Sequence, residues 1–134
     1  MIQNLTDAAM AARENAYAPY SGFRVGAALR TASGRVYIGC NVENASYSLT
    51  VCAERNAVFQ AIAAGDTQLR TLAIVGGAED EAARTVPCIP CGACLQVLAE
   101  FCPPDFPILL ADGVHMLREF LPMQFQLKNP EDIQ

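Results

Sequence analysis

The chain has 134 residues, 52% of them hydrophobic and 17% charged, and its 14 acidic residues against nine basic ones give a formal charge of −5. That length predicts one domain over 1–134, and the apolar fraction excludes a disordered chain, since a sequence of this kind can bury roughly two-thirds of its unfolded surface. With no basic run in the sequence, no nucleic acid partner read through its phosphates is expected, while a small, nearly neutral ligand stays open.

The longest charge-free stretch, Thr85 to Ala99, is shorter than the roughly 18–20 residues of a membrane span and contains Pro87, Pro90 and Gly92. No membrane partner is expected. The first residues carry no positive charge before Arg13 and no apolar core, unlike a secretory signal, so the expectation is a soluble, cytoplasmic protein. In a reducing compartment the six cysteines Cys40, Cys52, Cys88, Cys91, Cys94 and Cys102 are better suited to metal binding or catalysis than to disulfides.

In chain order, Leu5, Ala8, Ala9, Ala12 and Ala16 recur at helical spacing, predicting a first helix over 5–16 with Asn4 or Thr6 as its cap. Ala18-Pro19-Tyr20-Ser21-Gly22 ends it. Residues 23–29 and 36–40 read as a hairpin about the turn Ala32-Ser33-Gly34-Arg35, and 41–51 as a loop rich in hydrogen-bonding groups. A second helix covers 52–64 and stops at Gly65-Asp66. Leu72-Ala73-Ile74-Val75 is a strand buried on both faces, and Glu79-Asp80-Glu81 a solvated loop. A third helix runs from Gly92 to Cys102, halted by Pro103-Pro104. Two short strands follow at 108–110 and 114–117, with the lone His115 on the surface of the second, and the polar tail beyond Phe125 is expected to fray. Strands alternating with helices after one hairpin predict a mixed α/β sheet of about five strands covered by helices on both faces.

Cys52 and the pair Cys91, Cys94 stand at the starts of the second and third helices. Unpaired backbone N–H groups and the helix dipole stabilise a thiolate there and prepare it for a metal. Three such sulfurs leave tetrahedral zinc an open, catalytic position, whereas a fourth would close it and make the site structural. Two registers of Pro-Cys-x-x-Cys overlap, and the one beginning at Pro90 is favoured, because Gly92 permits a tight turn while Pro90 would stiffen the Cys88–Cys91 pair. Glu54, in the first turn beside Cys52, can lean over the open position and move protons to and from water.

These residues resemble those of the small zinc cytidine deaminases that assemble as homotetramers. Five blocks match in that family's order: Ala18-Pro19-Tyr20-Ser21-x-Phe23-x-Val25-Gly26-Ala27, Gly39 to Ser48, Cys52-Ala53-Glu54-Arg55, Pro90-Cys91-Gly92-Ala93-Cys94-x-Gln96 and Leu121-Pro122. The resemblance implies a three-layer sandwich and zinc-dependent hydrolytic deamination of cytidine and 2′-deoxycytidine to the uridine products, with release of ammonia, in pyrimidine salvage. By the same resemblance Cys52, Cys91 and Cys94 hold one zinc per chain and Glu54 shuttles protons. Asn41 and Glu43 hydrogen-bond the ribose, Phe23 lies against the base, and the backbone of Ala53 holds the pyrimidine carbonyl. Tyr47 and Phe125 close a neighbouring subunit's site, and Arg55 offsets the charge of the thiolates. One departure is visible: Leu95 stands where that family usually has an arginine. Two other functions are compatible with parts of the pattern, a non-catalytic zinc module closed by Cys88 and a relative acting on another aminopyrimidine such as blasticidin S.

Overall fold

The computed structural model describes residues 2–127. Five strands, β1 (Arg24–Thr31), β2 (Val36–Cys40), β3 (Leu69–Gly77), β4 (Pro107–Leu110) and β5 (Gly113–Met116), form one sheet in the order β2-β1-β3-β4-β5. The sheet is mixed, as expected: β1 is antiparallel to β2 and β3, β3 is parallel to β4, and β4 is antiparallel to β5. The parallel pair requires a long crossover. It is supplied by the helices α3 (Asp80–Thr85) and α4 (Gly92–Phe101), while α1 (Ile2–Arg13), α2 (Ala53–Ala63) and α5 (Leu117–Phe120) complete the chain.

Alternation along the central strand sorts the side chains into two layers. Leu72 and Ile74 of β3 join Ala27 and Leu29 of β1 beneath Ala57, Val58, Leu95, Leu98 and Leu117 of α2, α4 and α5. On the opposite face Ala73 and Val75 join Ala28 under Leu5, Ala9 and Met10 of α1 and Ala83 of α3. All residues from Leu72 to Gly77 are buried, which is why that stretch reads as a continuous apolar run.

The position of α2 is set by a close approach at the sheet edge. A Cβ on Gly39 would lie 2.4 Å from the Ala53 carbonyl oxygen and 2.6 Å from the Ala57 nitrogen, so the helix backbone passes where only glycine leaves room. Two amides of the same helix fasten it there: Asn56 Nδ2 donates to the Cys40 carbonyl at 2.8 Å and Gln60 Nε2 to the Ile38 carbonyl at 2.6 Å. Strand β2 thereby fixes where the N-terminus of α2 points.

The structure corrects four local expectations. The first helix spans Ile2–Arg13, so both proposed caps lie inside it and Ala16 outside it. Its end is drawn toward the sheet by Arg13, a wholly buried side chain whose Nε donates to Arg24 O at 3.1 Å, Nη2 to Gly77 O at 2.6 Å and Nη1 to Asp80 Oδ1 at 2.6 Å. The acidic stretch read as a loop instead opens α3, where buried Ala83 packs on the sheet and the acids of the first turn complement the helix dipole. The last strand ends at Met116, and Leu117 starts α5 with its side chain in the core. Gly92 has ordinary backbone geometry and open space where a Cβ would sit, so no tight turn demands glycine there. Gly65, by contrast, ends α2 with φ +79°, as its position predicts. The fraying expected of the tail concerns residues that lie largely outside those described.

Candidate active site

Two helix N-termini converge on one cluster of thiols. Cys52 is the N-cap of α2 and Cys91 the N-cap of α4, both with extended backbone and neither using its side chain to cap the helix. A serine or aspartate there would turn back onto the first-turn N–H groups; these thiols do not. Cys94, in the first turn of α4, is fully buried. The Cys52 and Cys91 sulfurs are 3.7 Å apart and those of Cys91 and Cys94 3.4 Å, and all three lie within 4.8 Å of one another. Tetrahedral zinc with bonds of about 2.3 Å sets its sulfurs about 3.8 Å apart, so the donor set fits that ion in spacing and in chemistry. Among the described residues no other His, Cys, Asp or Glu joins this group. Cys88 is not part of it: the thiol is half-buried with its sulfur facing Gly76, and burial pushes it up to about 12. The four-sulfur arrangement that would close the site is not formed.

Charge is distributed unevenly across the cluster. A hydrogen bond from the Cys94 thiol, with the Arg55 guanidinium and the Cys91 thiol behind it, holds Cys52 down to about 5. Arg55 Nη2 lies 3.6 Å from the Cys52 sulfur. Glu54 is 4% exposed, and loss of hydration at that depth is the main reason its carboxyl is raised to about 7. A carboxyl held near neutrality can both accept and return a proton. Leu95, in the place of the second arginine, is buried in the core beneath α4, which leaves Arg55 as the cation beside Cys52.

The remaining residues singled out in the sequence make contacts of their own outside the thiol group. Asn41 clasps the start of β1, its Nδ2 donating to Phe23 O at 2.9 Å and its Oδ1 accepting from Val25 N at 2.8 Å. Glu43 accepts from the backbone N–H groups of Tyr20 and Ser21 and from the Ser21 hydroxyl, and that hydroxyl holds its carboxyl below the usual range. Both side chains therefore organise the loop before β1, and each keeps unused hydrogen-bonding capacity. Phe23 is 44% exposed, one part of its ring against Gly76 and the rest open. Ala53, the first residue of α2, is wholly buried. Tyr47 and Phe125 are 74% and 69% exposed, and Gln96 Nε2 anchors the Phe125 carbonyl at 3.0 Å. His115 lies on β5, as the sequence suggests, but is only partly exposed, between Asp112 and Glu119, and does not join the thiol group.

Residues 1–110 match the family described as the cytidine and deoxycytidylate deaminase zinc-binding region. The chain belongs to that family. A cytidine deaminase of Sporosarcina psychrophila is 46% identical over 111 residues, 83% of this chain and 77% of the relative, and one of Halalkalibacterium halodurans is 49% identical over 110 residues, 82% and 79%. Among solved structures, the cytidine deaminase of Burkholderia pseudomallei superposes with a TM-score of 0.82 at 46% identity, covering 93% of this chain and 99% of the other. The family's fold and its zinc cofactor thus agree with the five-stranded sheet and the three-sulfur group.

Sequence reasoning missed Arg13 and Gly76. Leu5, Ala9 and Arg13 follow one another at four-residue spacing, so an arginine on the apolar stripe of α1 was the available signal for the first. Gly76 carried no local signal, because its neighbours come from other elements.

Proposed function

We propose that this chain is a single catalytic domain over 1–134 that deaminates cytidine and 2′-deoxycytidine by hydrolysis, giving uridine or 2′-deoxyuridine and ammonia in cytoplasmic pyrimidine salvage. The observation that carries the reading is the placement of buried Glu54 in the first turn of α2, two residues from Cys52 in the three-sulfur group. Cys52, Cys91 and Cys94 would hold zinc, which when bound supplies the Lewis acidity that makes water a nucleophile near neutral pH. The Glu54 carboxylate takes a proton from water as its oxygen attacks C4 of the pyrimidine, and passes it to ring N3. The same carboxyl carries the water's second proton to the amino nitrogen, so that the C4–N bond breaks and ammonia leaves. Arg55 offsets the negative charge of the thiolates. Asn41 and Glu43 meet the ribose hydroxyls with their remaining capacity, the open part of the Phe23 ring meets the base, and the Ala53 N–H meets the pyrimidine carbonyl.

Exposed Tyr47 and Phe125 support a homotetramer in which each chain completes a neighbour's site. Nucleic acids and membranes are not partners in this reading. No helix among the described residues is long and apolar enough to cross a membrane. Zinc content and ammonia release test the reading together: one zinc per chain with ammonia released from cytidine supports it. A zinc-loaded protein that releases ammonia from blasticidin S and not from cytidine, or from neither, overturns it.

A further inference from the structure

Gly76, at the end of β3, faces a crowded point on the α2 and α4 side of the sheet. A Cβ there would lie 2.7 Å from the Cys88 sulfur, 3.1 Å from Phe23 Cε1 and 3.1 Å from Val25 Cγ2. The Phe23 ring therefore rests directly on the bare backbone of Gly76, beside Cys88, a thiol that the metal group does not use. The backbone under this contact is held from both sides. Arg13, from the opposite layer, bonds the carbonyls of Arg24 and Gly77, the residues that follow Phe23 and Gly76. Asn41 bonds Phe23 O and Val25 N. With both strand ends pinned, volume added at this point is accommodated by the side chains, and the 44% exposed Phe23 ring has the freest path outward.

We infer that Gly76 is a positioning residue: the bare backbone it leaves facing the Cys88 thiol sets the depth and tilt of the Phe23 ring, and through it the affinity for the pyrimidine base. The inference rests on the proposed contact of Phe23 with the base. Because the ring is displaced while the thiols and Glu54 stay where α2 and α4 hold them, the effect falls on KM more than on kcat.

Five variants test it by steady-state kinetics with cytidine, each with zinc content and thermal midpoint measured. Gly76→Ala is expected to raise KM by about tenfold or more with kcat within about threefold of the parent, the size of an overpacking effect acting on binding. Adding Cys88→Ala to Gly76→Ala removes the nearest clashing atom and is expected to bring KM most of the way back. Cys88→Ala alone leaves KM at the parental value. Cys88→Leu enlarges the same contact from the half-exposed side, raises KM alone, and decides the matter if Gly76→Ala does not fold. Phe23→Ala sets the full loss of the base contact. If Phe23→Ala raises KM while neither Gly76→Ala nor Cys88→Leu does, or if the double variant shows no recovery, the positioning role is wrong. Parental KM in Phe23→Ala overturns instead the base contact itself.

Discussion

Substituting alanine for Gly39 probes how the sheet edge aims the catalytic helix. The new methyl would sit 2.4 Å from Ala53 O, 2.6 Å from Ala57 N and 3.1 Å from Asn56 C, against an ordinary contact of 3.4 Å or more, and all three atoms belong to the backbone of α2. No side chain can swing aside, so α2 and β2 must separate by about 1 Å, a strain of the order of 1–3 kcal/mol for an overpacked contact. Separation also loosens the bonds from Asn56 and Gln60 to β2, which lie within a turn or two of Cys52 and Glu54. Denaturant unfolding of the zinc-loaded protein should register that loss. Since a misplacement of about 1 Å in a catalytic group costs about a hundredfold, turnover of cytidine should fall by a comparable factor. Gly92→Ala is the control, because it also touches the start of a metal-bearing helix, yet nothing lies within 4 Å of its added Cβ. If Gly39→Ala unfolds within about 0.5 kcal/mol of the parent and keeps its turnover, the close approach does not fix the helix.

Arg13→Met should destabilise the fold by about 3 kcal/mol in denaturant titration, because it strips the Arg24 and Gly77 carbonyls of their buried partner. The pH dependence of its ion pair is carried by Asp80, whose carboxyl is lowered from 3.8, first by the hydrogen bond from Arg13 and then by its charge. A depressed folded-state pKa gives stability that is present above the unfolded value and lost as pH falls through the folded one, so the advantage of the parent over Asp80→Asn should hold above about pH 4 and shrink below it. Cys88→Ser, nearly isosteric, should keep one zinc per chain by metal analysis and near-parental activity; loss of the metal would place that sulfur in the site. Sedimentation at micromolar concentration should find a tetramer, and a fully active monomer would remove the shared-site reading of Tyr47 and Phe125.

The parts of the fold legible in the sequence were those written in local signals. Cys52 and the Cys91–Cys94 pair announced themselves because a thiol ahead of an apolar helical run is a poor cap and a good ligand, and Gly65 ended α2 by its own backbone geometry. The buried run from Leu72 to Val75 marked the central strand. What escaped was fixed by tertiary contact. The six residues of α3 carry too little apolar periodicity to be distinguished from a loop until Ala83 meets the sheet and Asp80 meets Arg13. The stop that the sequence offers the alanine-rich first helix, at Pro19, lies six residues beyond its end, which is set by where Arg13 finds carbonyls on β1 and β3. Gly39 and Gly76 look alike in sequence, and only the elements packed over them tell that one admits a helix backbone and the other an aromatic ring. Gly92 shows the opposite error, a glycine in a motif whose backbone does not need it.

The proton-shuttling role of Glu54 is tested most directly by the rate of ammonia release from cytidine by Glu54→Gln, measured on protein that carries one zinc per chain. Glutamine preserves the size of a side chain that is 4% exposed but cannot accept a proton at neutral pH. Zinc and cytidine should still bind, while turnover falls by about 100- to 10,000-fold, the range of a lost general acid and base. Turnover within about tenfold of the parent, with the metal in place, would contradict it.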